Sequence, residues 1–356
     1  MAKELWKGNE AVAEAAIRAG CRYFFGYPIT PQNEIPEYFS KHLPLHGGCF
    51  LQAESEIAAI NMVYGAAGSG ARVMTSSSSP GISLKQEGIT YIACAELPAV
   101  IVNMMRGGPG LGNIAPSQAD YYQATRGGGN GDYRTVVLAP STIQEAADFT
   151  QEAFDIADEY RIPVVVLADG MIGQMMEAIE WRTPKPRALP KKDWATDGTK
   201  GKRPHNVINS LYIEAADCTV QNQKLQAKYA SIAEHEIRFE EYMCEDADVI
   251  FVAYGTTARI ARAAVLSLRR EGIRAGLFRP ITLWPFPENA LCDCAARESV
   301  KAVITVEMSA GQMIDDVKIA LNGKKPVYFV GSGGGTIPQP DELISKAHKA
   351  LGRDEA

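Results

Sequence analysis

Short β-favouring runs alternate with helix-period segments through the first 170 residues of the chain. This alternation constrains the fold most, because a strand, a crossover helix and a second strand in succession make the two strands parallel. The sequence therefore predicts an α/β fold, a doubly wound parallel sheet covered by helices on both faces. The predicted strands are residues 21–27, 50–52, 72–75, 99–105, 135–138 and 163–168.

A second alternating unit begins near residue 248 and predicts a smaller, Rossmann-like sheet. Its predicted strands are residues 249–255, 275–279, 302–307 and 327–330. Residues 183–202 are rich in Pro, Lys, Gly and Thr, which is typical of a linker, and a polar helical segment at 221–244 is expected to pack across the surface. The predicted divisions are a first domain at 1–182, a linker with a surface helix at 183–245, and a second domain at 246–356.

Composition excludes several classes of function. A net charge of −6 shows no basic face, which argues against a nucleic-acid partner. No run approaches the roughly 18 apolar residues of a membrane span, and the start of the chain lacks the apolar core of a signal peptide. Seven cysteines without framework spacing fit a reducing cytoplasm. No CxxC occurs, so an iron–sulfur cluster is not expected on this chain.

Two carboxylates open a helix in the middle of the first alternating unit. Glu54 and Glu56 precede an apolar, small-residue run that ends in glycine. A carboxylate at a helix start is often only a match to the helix dipole, and this is the simpler interpretation of Glu54. Glu56 is followed directly by apolar residues. If Glu56 faces inward among them, desolvation would let it share a proton with a bound base.

Other motifs give weaker or negative signals. Gly-rich residues 107–112 follow a strand, but Pro109 interrupts the turn-to-helix geometry of a dinucleotide fingerprint, and no P-loop occurs. The serine run at 76–79 lacks the GxSxG elbow of a hydrolase. The five histidines do not fall at predicted strand ends, so zinc or histidine-based catalysis is not indicated. No metal-ligand set is predicted on this chain.

Four motifs in order carry a family resemblance. Together they resemble the α subunit of 2-oxoacid:ferredoxin oxidoreductases, and the match is nearest to the branched-chain (2-oxoisovalerate) type. The resemblance covers nearly the whole chain, since FRPITLWPFP at 278–287 is similar to a transketolase C-terminal domain. The four motifs are GYPITPQNEIPEYFS, QAESEIAAINMVYGAAG, TSSSSPGISL and NMMRGGPGLGN.

The resemblance implies cofactors and partners. Thiamine diphosphate would lie between the pyrimidine-type sheet of this chain and a β subunit whose GDG…N motif holds Mg²⁺ and the diphosphate. Asp169-Gly170 has no such motif around it, which agrees with a chain that carries only half of the site. Iron–sulfur clusters would lie on partner chains, including γ and ferredoxin-like δ subunits. The implied reaction is oxidative decarboxylation of a 2-oxoacid to acyl-CoA and CO₂, with coenzyme A as cosubstrate and ferredoxin as electron acceptor.

The resemblance also implies roles for individual residues. Glu56 matches the glutamate that activates the pyrimidine, and Arg106 matches the arginine that binds the substrate carboxylate. Thr30 matches a threonine that holds substrate or cofactor, and it lies in a turn with Pro28 and Ile29, which are expected to contact the cofactor. From the residues alone, Arg106 could equally be a solvated arginine at a strand end, and Thr30 a turn hydroxyl that bonds its own backbone.

Substrate choice is predicted from the loop after Arg106. Leu111 suits an aliphatic side chain better than a second carboxylate, which would need a cation. A 2-oxoglutarate or pyruvate enzyme, and a scaffolding subunit of the same fold, remain alternatives.

Lys85 stands where a large apolar residue is expected. If the helix is packed on both sides, Lys85 must snorkel or pair, for example with Glu87 or a partner subunit.

Overall fold

In the computed structural model, which describes residues 3–199 and 201–353, two mainly parallel sheets form the framework. The strands are β1 (Glu4–Lys7), β2 (Tyr23–Gly26), β3 (Cys49–Gln52), β4 (Val73–Ser77), β5 (Ala99–Met105), β6 (Val136–Leu138), β7 (Pro163–Asp169), β8 (Met176–Ile179), β9 (Phe239–Tyr242), β10 (Val249–Ala253), β11 (Ala275–Pro280), β12 (Thr282–Trp284), β13 (Ala302–Glu307) and β14 (Val327–Gly331). The helices are α1 (Gly8–Arg18), α2 (Glu34–His42), α3 (Glu56–Gly68), α4 (Ser79–Cys94), α5 (Tyr121–Arg126), α6 (Ile143–Tyr160), α7 (Gly170–Gln174), α8 (Ala215–His235), α9 (Gly255–Arg270), α10 (Glu288–Ala296), α11 (Met313–Leu321) and α12 (Pro340–Ala350), with a 3₁₀ turn at Leu43–His46.

The first sheet has seven strands in the order β12-β6-β7-β5-β4-β2-β3. Every pair is parallel except β12 with β6. Successive residues of β5 point to opposite faces: Val100 and Val102 pack with α1 and α6, whereas Ile101 packs with α3 and α4. Because helices cover both faces, the central strands are buried along their whole length. The predicted doubly wound sheet is confirmed.

The second sheet has five strands in the order β14-β13-β10-β11-β9. The four strands predicted for it are present and mutually parallel. Helices α9 and α12 pack on one face through apolar residues such as Val265 and Leu343. The domain divisions at 1–182, 183–245 and 246–356 stay a prediction.

The sequence prediction missed a separate two-stranded antiparallel sheet, formed by β1 and β8, and it missed two antiparallel edge strands of the main sheets, β9 and β12. The helical segment predicted at 221–244 ends earlier, because α8 stops at His235 and β9 then pairs with β11. Strand β12 lies in the second alternating unit but pairs with β6 of the first sheet. Both strands are short, and neither has a helix-strand alternation around it that sequence periodicity could detect.

The spacing of Ser141 and Gln144 in the sequence predicts a capping box, and the structure displaces the cap by one residue. Helix α6 is capped by Thr142, whose hydroxyl accepts a hydrogen bond from the Glu145 backbone N–H. The Glu145 carboxylate accepts in return from the backbone N–H and the hydroxyl of Ser141. The helix start therefore has the two reciprocal hydrogen bonds of a capping box, but Thr142 and Glu145 form them in place of Ser141 and Gln144.

A fully buried carboxylate joins the two sheets. Asp169, at the end of β7, accepts hydrogen bonds from the N–H groups of Met171 and Ile172. It also accepts from the backbone N–H and the hydroxyl of Thr256, in the first turn of α9. Burial raises the pKa of Asp169, while these four donors oppose that rise. Gln118 bridges the same junction, because its side chain bonds the backbone of Tyr254 and Met308.

Candidate active site

Four neighbouring strands of the first sheet end at one edge and deliver the candidate residues there. The chain leaves β2 into the turn that holds Thr30, and it leaves β3 toward Glu56. It leaves β4 into the serine run and β5 into Arg106. Because the carboxyl ends of parallel strands meet at a common edge, residues far apart in sequence are brought together, and such edges are where α/β sheets bind ligands.

The structure distinguishes the two carboxylates at the start of α3. Glu56 is the first residue of the helix and its side chain is buried, with 6% of its surface exposed. Glu54 precedes the helix and is exposed. The cap expected of Glu54 is instead supplied by Ser55, whose hydroxyl accepts from the Ala58 N–H at 3.2 Å. Glu56 therefore faces inward, which is the condition that the sequence left open.

Gly81, in the first turn of α4, makes room for the Glu56 carboxylate. A Cβ atom on Gly81 would lie 2.5 Å from Glu56 Oε1 and 2.1 Å from the Ser77 hydroxyl oxygen. Both distances are far below van der Waals contact, so only glycine fits between these two groups. Glu56 and Ser77 consequently face each other across the helix start.

Several buried polar atoms at this edge have no partner within the described part of the chain. They are Ser77 Oγ, Ser78 Oγ and Arg106 Nε. Buried donors and acceptors are almost always paired in native proteins, so unpaired ones at a strand-end edge indicate a ligand. A heterocycle with ring nitrogens and an exocyclic amine would satisfy hydroxyls and a carboxylate. The donor set therefore fits the aminopyrimidine of thiamine diphosphate.

The structure shows a different environment for Lys85 from the one expected from the sequence, which was that Lys85 snorkels or pairs with Glu87 or a partner subunit. Its side chain is fully buried on α4 and neither snorkels nor pairs with Glu87, which accepts from the Tyr91 hydroxyl instead. Lys85 Nζ donates to the Thr75 hydroxyl at 2.7 Å and to the Ser76 carbonyl at 2.9 Å, both on β4. Burial lowers the pKa of Lys85 to about 7, and the nearby charge of Glu56 opposes that shift.

The Arg106 guanidinium is buried and holds two loops. Nη1 donates to the Thr30 carbonyl at 2.9 Å and Nη2 to the Leu111 carbonyl at 3.0 Å. No carboxylate of residues 3–199 or 201–353 lies within ion-pair distance of it. The guanidinium thus keeps its charge and several N–H donors for another group. Arg106 and Thr30, which the sequence singled out separately, therefore lie in direct contact.

A polar network that the sequence analysis missed fixes the backbone at Arg106. Ser79 Oγ accepts from the Arg106 N–H at 3.0 Å and donates to the Asp120 carboxylate at 2.6 Å. Asn103 donates to the same Asp120 carboxylate and accepts from the Ser79 N–H. Burial raises the pKa of Asp120. The serine run was the available signal, since it places hydroxyls at a strand end.

The turn that carries Thr30 is tied down by Gln32. Its amide donates to the Tyr27 carbonyl, and its carbonyl oxygen accepts from the Ser76 hydroxyl. Pro28 and the Thr30 side chain are exposed and Ile29 is half-buried, so all three are open to a ligand or partner.

Leu111, predicted to line the substrate pocket, is 81% exposed on this chain. Its backbone carbonyl is what contacts Arg106. A pocket-wall role for its side chain stays a prediction, because the opposite wall would have to come from outside this chain.

Solved structures with this architecture define its class. The chain superposes on 2-oxoglutarate:ferredoxin oxidoreductase from Magnetococcus marinus, a structure with 2-oxoglutarate, coenzyme A and succinyl-CoA bound. That match has a TM-score of 0.86 and 27% identity, and it covers 98% of this chain and 65% of that one. An inactive β4 tetramer of a split-gene transketolase shares the fold, with a TM-score of 0.61 at 17% identity, over 98% of this chain and 99% of that one. The fold and the site define a protein of the thiamine-diphosphate-binding α/β class.

Sequence relatives narrow the class to a family. A family model described as pyruvate flavodoxin/ferredoxin oxidoreductase, thiamine diphosphate-binding, matches residues 14–243, and pyruvate:ferredoxin oxidoreductase core domain II matches residues 247–343. The ketoisovalerate oxidoreductase subunit VorB of Methanothermobacter marburgensis is 49% identical over 99% of both chains. The 2-oxoglutarate synthase subunit KorA of the same organism is 38% identical over 96% of this chain and 97% of that one.

This chain belongs to the pyruvate flavodoxin/ferredoxin oxidoreductase family, and it is a subunit of a thiamine-diphosphate-dependent 2-oxoacid oxidoreductase. The resemblance inferred from the four sequence motifs is confirmed. Across residues 3–199 and 201–353, no helix has the length and apolarity needed to cross a membrane.

The space at Gly81 gives a first testable prediction. An alanine in a helix normally stabilises a protein by up to about 1 kcal/mol relative to glycine. We expect Gly81→Ala to destabilise the chain by about 1–3 kcal/mol instead, because the added methyl overlaps Glu56 and Ser77. Gly65→Ala is the matched control, since a Cβ there meets nothing within 4 Å on helix α3. Denaturant unfolding of the purified chain measures both, and equal stabilisation by the two variants would contradict the packing described at Gly81.

Proposed function

We propose that this chain supplies the pyrimidine-binding half of a thiamine diphosphate site. The complex would convert a branched-chain 2-oxoacid, coenzyme A and oxidised ferredoxin to acyl-CoA, CO₂ and reduced ferredoxin. The observation that carries the proposal is the presence of two features side by side. Glu56 is buried opposite an unpaired serine hydroxyl, and the Arg106 guanidinium has no carboxylate partner among the described residues. Both lie at one sheet edge, as a cofactor and its substrate require.

Glu56 would act on the ring nitrogen of the pyrimidine. Thiamine diphosphate, when bound, supplies the carbon nucleophile that makes decarboxylation beside a ketone feasible. Glu56 would hold and share one proton with the ring nitrogen, and its burial excludes water from that exchange. The Ser77 hydroxyl, which lies beside the carboxylate and lacks a partner, would orient the ring edge.

Arg106 would bind the carboxylate shared by all 2-oxoacids. Two of its N–H groups are fixed on the Thr30 and Leu111 carbonyls, so the remaining donors are held in a defined direction. An arginine held in this way binds a carboxylate without first reorganising, which favours rapid positioning of substrate. Thr30 would contribute its exposed hydroxyl beside the same carboxylate.

The diphosphate and its metal would be held by a partner. Asp169 is the acidic residue at the end of β7, and its two oxygens already accept four hydrogen bonds within the chain. An aspartate so occupied is a poor Mg²⁺ ligand, because every donor would have to be displaced. We therefore assign Mg²⁺ and the diphosphate to a β subunit, and the iron–sulfur clusters to γ or δ subunits.

The branched-chain assignment rests on the loop after Arg106. Leu111 and Ile114 expose apolar side chains there, and residues 107–115 contain no lysine or arginine. A second substrate carboxylate against this loop would be unpaired, which costs several kcal/mol when buried. The higher identity to a ketoisovalerate subunit than to a 2-oxoglutarate subunit points the same way.

The role of Glu56 gives the second prediction. Glu56→Gln in the assembled complex should lower kcat by on the order of 100-fold or more, which is the usual contribution of proton transfer. Glu54→Gln is the control and should remain within about twofold, because Glu54 is exposed. Viologen reduction with 2-oxoacid and coenzyme A measures both. Equal losses in the two variants would show that the wrong carboxylate was chosen, and no loss in either would favour a scaffolding subunit.

Substrate choice gives the third prediction. We expect kcat/KM for 2-oxoisovalerate to exceed that for 2-oxoglutarate by at least about tenfold, since one branch or methylene in an apolar pocket is worth about 1–3 kcal/mol. Leu111→Ala should reduce the ratio of the two kcat/KM values. Leu5 is an exposed leucine on β1, so Leu5→Ala should leave that ratio unchanged. A wild-type preference for 2-oxoglutarate would overturn the branched-chain assignment but leave the family intact.

A further inference from the structure

Residues 107–115 form a loop, here called the substrate loop, that closes on itself directly after Arg106. The Asn113 N–H donates to the Gly107 carbonyl at 2.9 Å, which brings the far side of the loop back to its start. The tip of the loop contacts the guanidinium, because Arg106 Nη2 donates to the Leu111 carbonyl at 3.0 Å. The conformation of the substrate loop and the direction of the Arg106 donors are therefore coupled.

The Asn113 side chain joins the substrate loop to the second sheet. Its Oδ1 accepts from the Ala115 N–H at 2.9 Å, and its Nδ2 donates to the Gly334 carbonyl at 2.8 Å. Gly334 lies in the turn that follows β14, residues 332–336, here called the glycine loop. One amide thus bonds a loop of the first sheet to a loop of the second, across a separation of 221 positions in the chain.

Glycines on both sides let the two loops approach this closely. A Cβ atom on Gly335 would lie 2.6 Å from Ala115 Cβ and 3.2 Å from Asn113 Oδ1, and the φ of Gly335 is +94°. On the other side, a Cβ on Gly107 would lie 2.5 Å from Asn113 Oδ1. The shortest of these distances are far below van der Waals contact, so a side chain at Gly335 would push the glycine loop away from the substrate loop.

The chain that follows the substrate loop is also held by the second sheet. The Ser117 hydroxyl donates to the carbonyl of Met308, which directly follows β13. The Tyr121 hydroxyl donates at 2.5 Å to the carboxylate of Asp316, on α11. Contacts within the substrate loop and beyond it therefore attach this part of the chain to the second sheet, although it begins at a strand end of the first sheet.

We propose that Asn113 is a positioning residue, through which the glycine loop holds the substrate loop and fixes the direction of the free Arg106 donors. This inference rests on the proposed function, because it concerns the arginine that would bind the 2-oxoacid. Asn113 acts through the backbone of its own loop, since its N–H holds the Gly107 carbonyl and the Leu111 carbonyl accepts from the guanidinium. A guanidinium held in advance loses less conformational entropy when a carboxylate binds. The role of Asn113 should therefore appear in substrate affinity rather than in the chemical step.

Hydrogen exchange of the assembled complex without substrate tests the attachment of the substrate loop. Asn113→Ala should lower the protection of amides in residues 107–115 by on the order of tenfold, because local opening becomes easier when a loop loses its contacts. Gly335→Ala should have the same effect, although it changes no atom of the substrate loop. Unchanged protection in Gly335→Ala would overturn the proposal.

Steady-state kinetics of the assembled complex with 2-oxoisovalerate and coenzyme A test the consequence for substrate. Asn113→Ala and Gly335→Ala should each raise KM for the 2-oxoacid by on the order of tenfold, with kcat within about twofold of wild type. The double variant should exceed the larger single effect on KM by no more than about twofold, because both changes open the same contact. A fall in kcat at unchanged KM, or effects on KM that multiply, would overturn the proposal.

Two matched controls separate the contact from general strain. Gly323, just before β14, has a φ of +74°, and a Cβ there meets nothing within 4 Å, so Gly323→Ala strains the backbone as Gly335→Ala does but adds no clash. Asn209→Ala is matched to Asn113→Ala, because Asn209 Oδ1 accepts from the Leu211 N–H in the same kind of local turn, in the segment before α8. Both controls should keep KM within about twofold. A rise as large as in the test variants would overturn the proposal.

Arg106→Lys separates this inference from the proposed function. This change should raise KM for the 2-oxoacid by on the order of tenfold or more, because a lysine cannot reproduce the forked donors of the guanidinium. If KM is unchanged in Arg106→Lys while Gly335→Ala still lowers the protection of residues 107–115, the proposed role of Arg106 fails and the attachment of the substrate loop through Asn113 stands.

Discussion

The rule that buried polar groups must be paired separates two structural carboxylates of this chain from Glu56, the carboxylate proposed to act on the cofactor. Asp169 accepts four hydrogen bonds and joins the two sheets. Glu307, at the end of β13, accepts from the Ser309 hydroxyl and from three N–H groups at the start of α11. Both are satisfied within the chain and serve its architecture. Glu56 instead faces the unpaired Ser77 hydroxyl, and a hydroxyl left in that state indicates a ligand.

The same rule explains how one chain can hold half of an active site. Asp169 and Gln118 fix the two sheets against each other, so the strand-end edge of the first sheet is held in a defined place. Gly81 leaves the space that the Glu56 carboxylate occupies, while Ser79 and Asp120 fix the backbone at Arg106. Glu56 and Arg106, the residues proposed to bind ligands, are thus held in place by neighbours that would not bind them. Because their positions are set in advance, less conformational entropy is lost when a ligand binds.

Much of this fold could be predicted from sequence because periodicity reports helix–strand alternation directly. The parallel strands of both sheets followed from that pattern, whereas the burial of Glu56 was left open. Strands β9 and β12 did not, because their pairing depends on contacts made at long range. Lys85 was expected to reach solvent or a partner, since the sequence does not show that Thr75 and Ser76 present acceptors to it. The Asp169–Thr256 link joins residues 87 positions apart and has no local signal.

The central claim is that this chain carries the pyrimidine half of the site and lacks the metal half. Calorimetric titration of thiamine diphosphate, with and without Mg²⁺, into the purified chain and into the assembled complex tests it most directly. The account predicts weak binding to the chain that does not depend on Mg²⁺, and tight Mg²⁺-dependent binding to the complex. Tight Mg²⁺-dependent binding to the chain alone would contradict it.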